Sequence, residues 1–277
     1  MKTYKYPSVL TIAGFDGSGG AGIQADIKTI SALGCYATSV LTALPVQNTQ
    51  GVKNIFSIPL KAVAEQMETI LEDIVPDAIK IGMVHTPELV EVIVKKLQEY
   101  KNIPIVFDPV MVATSGHRLI EEETIGVIIE KLLPIANVIT PNMDEAAILS
   151  KTKVATLKDM QLAGERIKKL GCKNILLKGG HQKTEIITSL LLDESNTYHS
   201  FEFNKIETKN THGSGCSLSS AIASFLAQGK SMYEAVDLGQ QYVYNAIRYG
   251  ANTKTGKGNG PLNHFFNPQK LIKNEMV

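Results

Sequence analysis

The 277-residue sequence has no tryptophan, only three cysteines and only 6% aromatic residues. The cysteines, Cys35, Cys172 and Cys216, are too far apart to form a metal-binding pair, and an odd number does not make a complete disulfide set. We therefore expect free thiols in a reducing compartment. The formal net charge is only +1, which argues against a basic surface for nucleic acid or an anionic membrane.

Long hydrophobic runs are also missing. The first residues contain one short apolar run, which is too short for a signal peptide and much too short to span a bilayer. No stretch is rich enough in proline, glycine and serine to be a linker, and no repeat is visible. We therefore expect a cytoplasmic protein, with residues 1–277 forming a single domain that binds neither nucleic acid nor membranes.

Short apolar runs alternate along the chain with segments whose apolar residues lie three and four positions apart. The predicted strands are 9–13, 39–46, 78–83, 103–107, 137–140 and 174–178, and the predicted helices between them are 22–33, 60–74, 87–100, 121–133 and 158–170. This alternation predicts an α/β fold with a mostly parallel sheet covered on both faces. Segments 185–192 and 198–203 predict an antiparallel hairpin at one edge, and 217–228 and 231–249 predict two closing helices.

The segment KNTHGSGCSL, residues 209–218, is the most informative of the chain. It predicts a glycine-containing turn that leads into an apolar helix. The first N–H groups of a helix have no intrahelical acceptor, so this end can bind a phosphate or a developing oxyanion. Cys216 lies in the same turn, where we expect the helix end to lower its pKa. The combination favours phosphoryl transfer, whereas an ordinary helix cap with an inert cysteine is the alternative.

A second glycine-rich segment resembles a dinucleotide-binding fingerprint. Gly17, Gly19 and Gly22 match G-x-G-x-x-G after an apolar strand. That fingerprint also needs an acidic residue about twenty positions further on, to hold the ribose. No aspartate or glutamate occurs between Asp26 and Glu65, so we do not expect a dehydrogenase.

Four further segments place chemically active side chains where predicted strands end. They are GFDGSGGAGIQAD (14–26) with Asp26, DPVMV (108–112) with Asp108, TPNMDEA (140–146) with Asn142 and Glu145, and LKGGH (177–181) with Lys178. Open α/β sheets bind their ligands at the carboxyl ends of the strands. We therefore expect these side chains to converge on one rim of the sheet.

In their order and spacing these motifs resemble the ribokinase-like superfamily of small-molecule kinases. Within it, IAGFDGSGGAGIQADIKT, TALPVQNT, DPVMVATSG, THGSGCSLSSAIA and GPLNHF are most similar to the hydroxymethylpyrimidine/phosphomethylpyrimidine kinases of thiamine biosynthesis, over about residues 8–266. The resemblance implies a ribokinase-like three-layer α/β/α fold. It also implies ATP-dependent phosphorylation of 4-amino-5-hydroxymethyl-2-methylpyrimidine, and of its monophosphate to the diphosphate.

The resemblance further implies roles for individual residues. The pyrimidine is expected against Gly14, Asp26, Gln47, Met83 and Val110. The ATP site is expected to contain Asn142, Lys178 and Thr211, and Mg²⁺ is expected at Glu145, Asn142 and Asp108. The transferring phosphoryl group is expected at Gly213, Ser214, Gly215 and Cys216. Each of four residues also has a simpler alternative role. Asp26 can be a favourable charge at a helix start, Met83 a core residue, Glu145 a solvated carboxylate, and Cys216 a group that positions the acceptor rather than a base.

The chain departs from the family pattern beside the expected pyrimidine pocket. Phe15 stands where the family usually has serine, and Pro45 and Val46 lie in a stretch that is usually less constrained. A pyridoxine or pyridoxal kinase is the nearest alternative function, and a non-catalytic ligand-binding protein is a more distant one. The family also implies a homodimer, with its contact expected at 22–33 and 38–46. We expect the glycine-rich segment 253–260 to be a flexible loop that folds over the nucleotide.

Overall fold

The computed structural model describes residues 2–111, 120, 122–180, 182 and 184–276. Its strands are β1 (Tyr4–Lys5), β2 (Ser8–Ala13), β3 (Tyr36–Leu41), β4 (Ala43–Asn48), β5 (Gly51–Ser57), β6 (Ala78–Ile81), β7 (Ile105–Phe107), β8 (Val138–Ile139), β9 (Asn174–Leu177), β10 (Ile186–Leu192), β11 (Tyr198–Asn204) and β12 (Asn274–Glu275). Within these residues, eight strands form the central sheet in the order β11-β10-β9-β8-β7-β6-β2-β3. Two smaller pairs, β1 with β12 and β4 with β5, lie outside it.

The central sheet is mostly parallel, as predicted. The strands from β3 to β9 in this order pair in parallel, whereas β10 pairs antiparallel with both β9 and β11. The predicted edge hairpin is therefore confirmed. Every residue of β2, β6 and β9 is buried, which is typical of parallel strands covered on two faces.

Helices cover both faces of the sheet. They are α1 (Gly22–Ala32), α2 (Leu60–Asp73), α3 (Pro87–Leu97), α4 (Glu122–Val127), α5 (Met143–Ser150), α6 (Leu157–Lys168), α7 (Ser214–Ala227) and α8 (Met232–Gly250). Successive strand residues point to opposite faces, so Leu10 packs in the core beside α2, α3 and α6, while Val9 packs in the core beside α1, α7 and α8. The three-layer α/β/α prediction is confirmed. Among the described residues, no helix is long and apolar enough to cross a membrane.

The prediction of one strand over 39–46 is wrong. The chain bends at Thr42, whose N–H donates to the carbonyl of Ala13 (3.0 Å) and whose hydroxyl donates to the carbonyl of Met83 (2.8 Å). After this bend, β4 leaves the central sheet and pairs with β5, which the sequence pattern did not indicate. Pro45 is tolerated because β4 and β5 form a two-stranded ribbon, in which the outer edge of β4 needs no N–H donor.

Two helix boundaries also differ from prediction. The first residue of the predicted helix 121–133, Glu121, lies outside the described residues. The α-helical part ends at Val127, and the chain continues as a π-helical turn (Ile128–Leu132) and a 3-10 turn (Leu133–Ile135). Pro134 cannot continue an α-helix, which explains the early end. Helix α7 begins at Ser214 rather than 217, because Gly213 adopts a left-handed conformation (φ 83°) and starts the helix itself.

Candidate active site

Side chains and loops from four central strands meet at the carboxyl rim, as predicted. Gly14 follows β2, Asp108 follows β7, Asn142 lies three residues after β8, and Lys178 follows β9. The backbone amide of Lys178 donates to the carbonyl of Pro141 (2.9 Å), which holds the last two loops side by side. The outer parts of two predicted motifs, residues 112–116 and His181, lie outside the described residues.

The first turn of α7 faces this rim with its backbone amides. Gly213 is the N-cap residue and makes no side-chain cap, and a β-carbon at Gly215 would lie 3.4 Å from the Asp108 carboxylate, so the charged groups of the rim reach this helix start. Ser214 N–H donates to the carbonyl of Thr211 (3.1 Å), whereas the amides of Gly215 and Cys216 have no acceptor within the helix. This geometry suits an anion, because the N–H groups and the positive end of the helix dipole point the same way.

Cys216 lies between the starts of two helices, because the backbone N–H of Gly22, at the start of α1, donates to its sulfur. The predicted lowering of its pKa is nevertheless wrong. Burial raises the pKa of the Cys216 thiol to about 11, and Asp26 and Asp108 add to the rise while Lys80 opposes it. Loss of water around the thiolate outweighs the helix field, so Cys216 is a neutral thiol at pH 7.

Lys178 lies between two carboxylates on the nucleotide side predicted for the site. Its ammonium is 2.9 Å from Asp108 Oδ1 and 3.9 Å from Glu145 Oε2. Burial alone would lower the pKa of Lys178, but these two carboxylates outweigh burial and raise it. A β-carbon at Gly215 would lie 3.2 Å from the Lys178 ammonium, so the lysine reaches the first turn of α7.

Asn142 and Glu145 form hydrogen bonds with each other. Asn142 caps α5 through its side-chain oxygen, which accepts from the Glu145 amide (2.9 Å), and Glu145 Oε2 accepts from the Asn142 amide (2.8 Å). Burial raises the pKa of Glu145 to about 7, with a further contribution from Asp108, although Lys178 opposes the rise. Glu145 is therefore a buried carboxylate rather than a solvated one.

The donor set fits Mg²⁺ in part. The carboxylates of Asp108 and Glu145 offer oxygen donors of the kind that Mg²⁺ prefers, and Mg²⁺ is typically held by one or two carboxylates with phosphates and waters completing its shell. Asn142 fits less well, because its oxygen is committed to the helix cap. No group of three or more histidine, cysteine, aspartate or glutamate side chains that could hold a metal occurs among the described residues.

Two of the residues predicted to contact the pyrimidine, Gly14 and Met83, lie in contact with each other. A β-carbon at Gly14 would lie 3.4 Å from the sulfur of Met83 and 3.8 Å from Pro45, so three loops meet at this glycine. Gln47 lies further along β4, with its side chain partly exposed. Val110 is half-buried in the loop that follows Asp108. The structure thus brings Gly14 and Met83 together, and the contacts of the predicted residues with a pyrimidine stay predictions.

Asp26 has a different setting from the one the sequence predicts. Its side chain and that of Lys80 are 0% exposed, and the two form an ion pair at 2.8 Å. Thr11 and Ser220 donate to the same carboxylate at 2.6 and 2.8 Å. Both oxygens are thus engaged by the protein, and the predicted contact between Asp26 and the pyrimidine stays a prediction.

Sequence reasoning missed Lys80, Asp16 and His212. A lysine in the otherwise apolar strand AIKI was a signal for a buried ion pair, since lysine is almost never fully buried unless paired. Asp16 and His212 lie within the two glycine-rich motifs, and their side chains are in hydrogen-bond contact at 2.8 Å. Nothing in their spacing indicates that two segments almost two hundred residues apart are joined.

Segment 253–260 is not helical, as predicted, but it is held against the turn between β4 and β5. Gly258 N–H donates to the hydroxyl of Thr49 (3.2 Å), and Asn259 N–H donates to its carbonyl (2.9 Å). A cavity of about 320 Å³ lies between this segment and residues 208–210, with Lys209, Lys254 and Lys257 among its lining residues.

The sequence matches the family model described as phosphomethylpyrimidine kinase over residues 16–263. It is 44% identical to a thiamine biosynthesis bifunctional protein of Geobacter sulfurreducens over 93% of this chain, but spans only 52% of that relative. It is 42% identical to the hydroxymethylpyrimidine/phosphomethylpyrimidine kinase of Rhizobium meliloti, over 92% of this chain and 96% of that one. The chain thus spans about half of its bifunctional relatives and nearly all of the shorter ones.

Solved structures give the same fold. A phosphomethylpyrimidine kinase from Clostridium difficile is 43% identical with a TM-score of 0.77, over 87% of this chain and 99% of that one. The pyridoxal kinase of Bacillus subtilis, solved as an ADP complex, is 34% identical with a TM-score of 0.87, over 94% and 98% of the two chains. With the rim geometry described above, these matches establish that the chain belongs to the phosphomethylpyrimidine kinase family.

Proposed function

We propose that the protein transfers the γ-phosphoryl group of ATP to 4-amino-5-hydroxymethyl-2-methylpyrimidine, and then to the monophosphate to give the diphosphate, in thiamine biosynthesis. The observation that carries this proposal is that a lysine and two carboxylates lie close together beside the uncapped first turn of α7. A β-carbon at Gly215 would lie 3.2 Å from the Lys178 ammonium, which is itself 2.9 Å from Asp108 and 3.9 Å from Glu145. Family membership supports the same reaction.

In each transfer an acceptor oxygen forms a bond to the γ-phosphorus while the bond from that phosphorus to the β–γ bridging oxygen breaks, so that ADP leaves. The acceptor oxygen is the hydroxyl in the first transfer, where its proton is released to water, and a phosphate oxygen of the monophosphate in the second. Phosphoryl transfer needs mainly positioning and neutralisation of charge. Lys178 provides a fixed positive charge, and the amides of Gly215 and Cys216 provide donors that need no rearrangement. Mg²⁺ held by Asp108 and Glu145 would neutralise phosphate charge.

Because burial raises the pKa of Cys216 to about 11, the thiol is a better hydrogen-bonding group than a proton acceptor. We therefore assign it the positioning of the acceptor hydroxyl. Cys216→Ala is expected to lower kcat by less than the roughly hundredfold that loss of a general base produces. A larger loss would restore the assignment of Cys216 as the base.

The test is a product assay by mass spectrometry with Mg-ATP and hydroxymethylpyrimidine, its monophosphate or pyridoxine. Conversion of the monophosphate to the diphosphate supports the proposal, because a vitamin B6 kinase has no reason to add a second phosphate. Turnover of pyridoxine alone would replace this proposal with a pyridoxine kinase activity. Hydrolysis of ATP without transfer to any acceptor would argue against a kinase acting on these alcohols.

Pyridoxal phosphorylation is the second candidate, because solved pyridoxal kinases share 32–34% of this sequence with TM-scores of 0.86–0.88 over nearly the whole chain. The pocket also has a departure that bears on specificity. The Phe15 ring lies over Gly17, where a β-carbon would be 3.3 Å from the ring. A serine there would leave more room, so Phe15→Ser is expected to change the ratio of pyrimidine to pyridoxine turnover.

We also propose that residues 1–277 act as one cytoplasmic kinase domain and that a second copy of the chain is its partner. Leu44, Val46 and Phe56 are exposed on one face of the β4–β5 ribbon, where Leu44 and Phe56 are directly opposite each other. Exposed apolar patches of this kind favour a protein partner. Sedimentation of the wild type and of Phe56→Lys tests this, because a dimer formed through the ribbon should dissociate in the variant.

A further inference from the structure

Asp16 is the hydrogen-bonding centre of the first glycine-rich loop. Its carboxylate is fully buried and accepts from the backbone amides of Ser18 (2.9 Å), Gly20 (3.1 Å) and Ala21 (2.7 Å), and from the Ser18 hydroxyl (2.7 Å). Burial alone would raise the pKa of Asp16, but the bonds from His212, Ser18 and the backbone outweigh burial and lower it. Asp16 therefore stays charged and holds the loop closed.

The same carboxylate reaches into the second glycine-rich turn. Asp16 Oδ2 lies 2.8 Å from Nε2 of His212, which precedes the N-cap of α7. The His212 amide donates to the carbonyl of Gly260 (3.0 Å), so both the backbone and the ring of this histidine are held. Asp16 thus links the start of α1 to the start of α7.

The two turns are in close contact around this link. A β-carbon at Gly20 would lie 2.4 Å from the His212 ring, and one at Gly213 would lie 1.8 Å from the carbonyl oxygen of Gly20. Only glycine fits at these positions. The Gly213 backbone, which sets the direction of the first amides of α7, is therefore pressed against the loop that Asp16 holds.

We propose that Asp16 and His212 are positioning residues for phosphoryl transfer, because together they fix the first turn of α7 at the angle its amides need to contact the transferring group. This rests on the proposed function. Gly213 provides no side-chain cap and glycine backbone has wide conformational freedom, so the direction of the first amides of α7 depends on contacts from neighbouring segments. The Asp16–His212 pair supplies that constraint from the neighbouring loop.

The chain contains a matched pair for comparison. Asp193 and His199 also form an Asp–His contact at 2.9 Å, and Asp193 likewise accepts from a serine hydroxyl (Ser195) and a backbone amide (Thr197). That pair lies on the β10–β11 hairpin with its side chains 22% and 29% exposed, compared with 0% and 14% for Asp16 and His212. A variant of Asp193 therefore removes the same kind of Asp–His contact at the far edge of the sheet, away from α7.

The experiment compares His212→Leu, His212→Gln and Asp193→Asn in the full chain. The glutamine amide can still donate to Asp16, whereas leucine cannot. We expect His212→Leu to lower kcat by about a hundredfold, the effect of misplacing a catalytic group by about 1 Å. His212→Gln should stay within about tenfold of wild type, the scale of one weakened hydrogen bond. Asp193→Asn should keep the wild-type kcat, and the KM for the pyrimidine should be unchanged in all three.

Two results would overturn the proposal. Equal losses in His212→Leu and His212→Gln would mean that the imidazole itself exchanges a proton, and a wild-type kcat in His212→Leu would mean that the pair only supports the fold. Asp16→Asn, with its melting temperature measured, serves as a second variant and should lose kcat while remaining folded.

Failure of the proposed function is recognised separately. If the wild type phosphorylates neither pyrimidine nor pyridoxine, calorimetric binding of Mg-AMP-PCP without an acceptor replaces kcat as the readout. His212→Leu should then bind the nucleotide more weakly than His212→Gln. Equal binding by the two variants would overturn the positioning role regardless of the acceptor.

Discussion

Two lysine–carboxylate pairs lie near the same rim, and they differ in how far the protein satisfies them. Lys80 and Asp26 are both 0% exposed, and Asp26 also accepts from Thr11 and Ser220. Lys178, with 14% of its side chain exposed, has two carboxylates for one positive charge. The first pair is complete within the fold, whereas the second has an excess of negative charge and an open side.

The difference indicates which pair is available for chemistry. A buried pair whose charges are already matched attracts a charged ligand less strongly than a group with unbalanced charge and an open side. At the open pair, burial and Asp108 raise the pKa of Glu145 to about 7, so the site gains by adding a cation. We therefore expect variants of the first pair to change stability and variants of the second to change catalysis.

The largest effect is expected at the closed pair. Lys80→Met leaves the Asp26 carboxylate buried without its counter-ion, which should cost about 3–5 kcal/mol of unfolding free energy. Urea denaturation measures this loss. The double variant Lys80→Met/Asp26→Asn removes both charges and should recover much of it, so strictly additive losses would contradict the description of a saturated pair.

Lys178→Met should act on turnover instead. Loss of a fixed positive charge at the transferring group is expected to lower kcat by about 10²–10³-fold. The fold should tolerate the change, since Glu145 can take up a proton when its lysine is removed. Lys205→Met is the matched control, because Lys205 pairs with the exposed Glu207 on the surface. Unfolding of Lys178→Met at 25 °C would show that the open pair also carries the fold.

The third prediction concerns pH. The pKa of Glu145 is raised from 4.5 to about 7 in the folded protein, so protonation favours the folded state. This contribution to the free energy of unfolding is fully present below about pH 4.5 and is lost as the pH rises to about 7. The raised pKa corresponds to a contribution of about 3 kcal/mol. In metal-free protein the melting temperature should therefore fall across this interval.

Glu145→Gln supplies the control for that titration. The glutamine does not titrate, so its melting curve should show a smaller fall between pH 4.5 and 7. Mg²⁺ should reduce the fall in the wild type alone, because it stabilises the charged carboxylate. Parallel pH profiles for the two proteins would contradict the raised pKa.

The difference between the pairs also separates what the sequence predicts from what it does not. The periodicity predicts the central strands and most helices, and motifs at strand ends bring Asp108, Asn142 and Lys178 to one rim. Periodicity does not show that Thr42 redirects the chain, because the bend depends on bonds to Ala13 and Met83 from other strands. Proximity to a helix start led to the wrong direction for the pKa of Cys216, since the sequence does not show the burial that dominates it.

Lys80 illustrates the same limit. Its strand is visible in the sequence, but its partner Asp26 lies 54 residues away on a helix. Only the packing of α1 and α7 beside the central strands shows that Asp26 is paired with Lys80 inside the fold. The contacts that distinguish a satisfied carboxylate from an available one are long-range, and local patterns carry no record of them.

The smallest expected effects come from the hydroxyls that support each pair. Ser220 donates to Asp26 at 2.8 Å, and Thr140 donates to Asp108 at 3.0 Å. Ser220→Ala and Thr140→Val should each cost about 1–3 kcal/mol of stability, since each removes a buried hydrogen bond. Only Thr140→Val should also raise the KM for ATP, because Asp108 positions Lys178. Denaturation and ATP titration of the two variants test this, and a changed KM in Ser220→Ala would show that the closed pair also reaches the substrate.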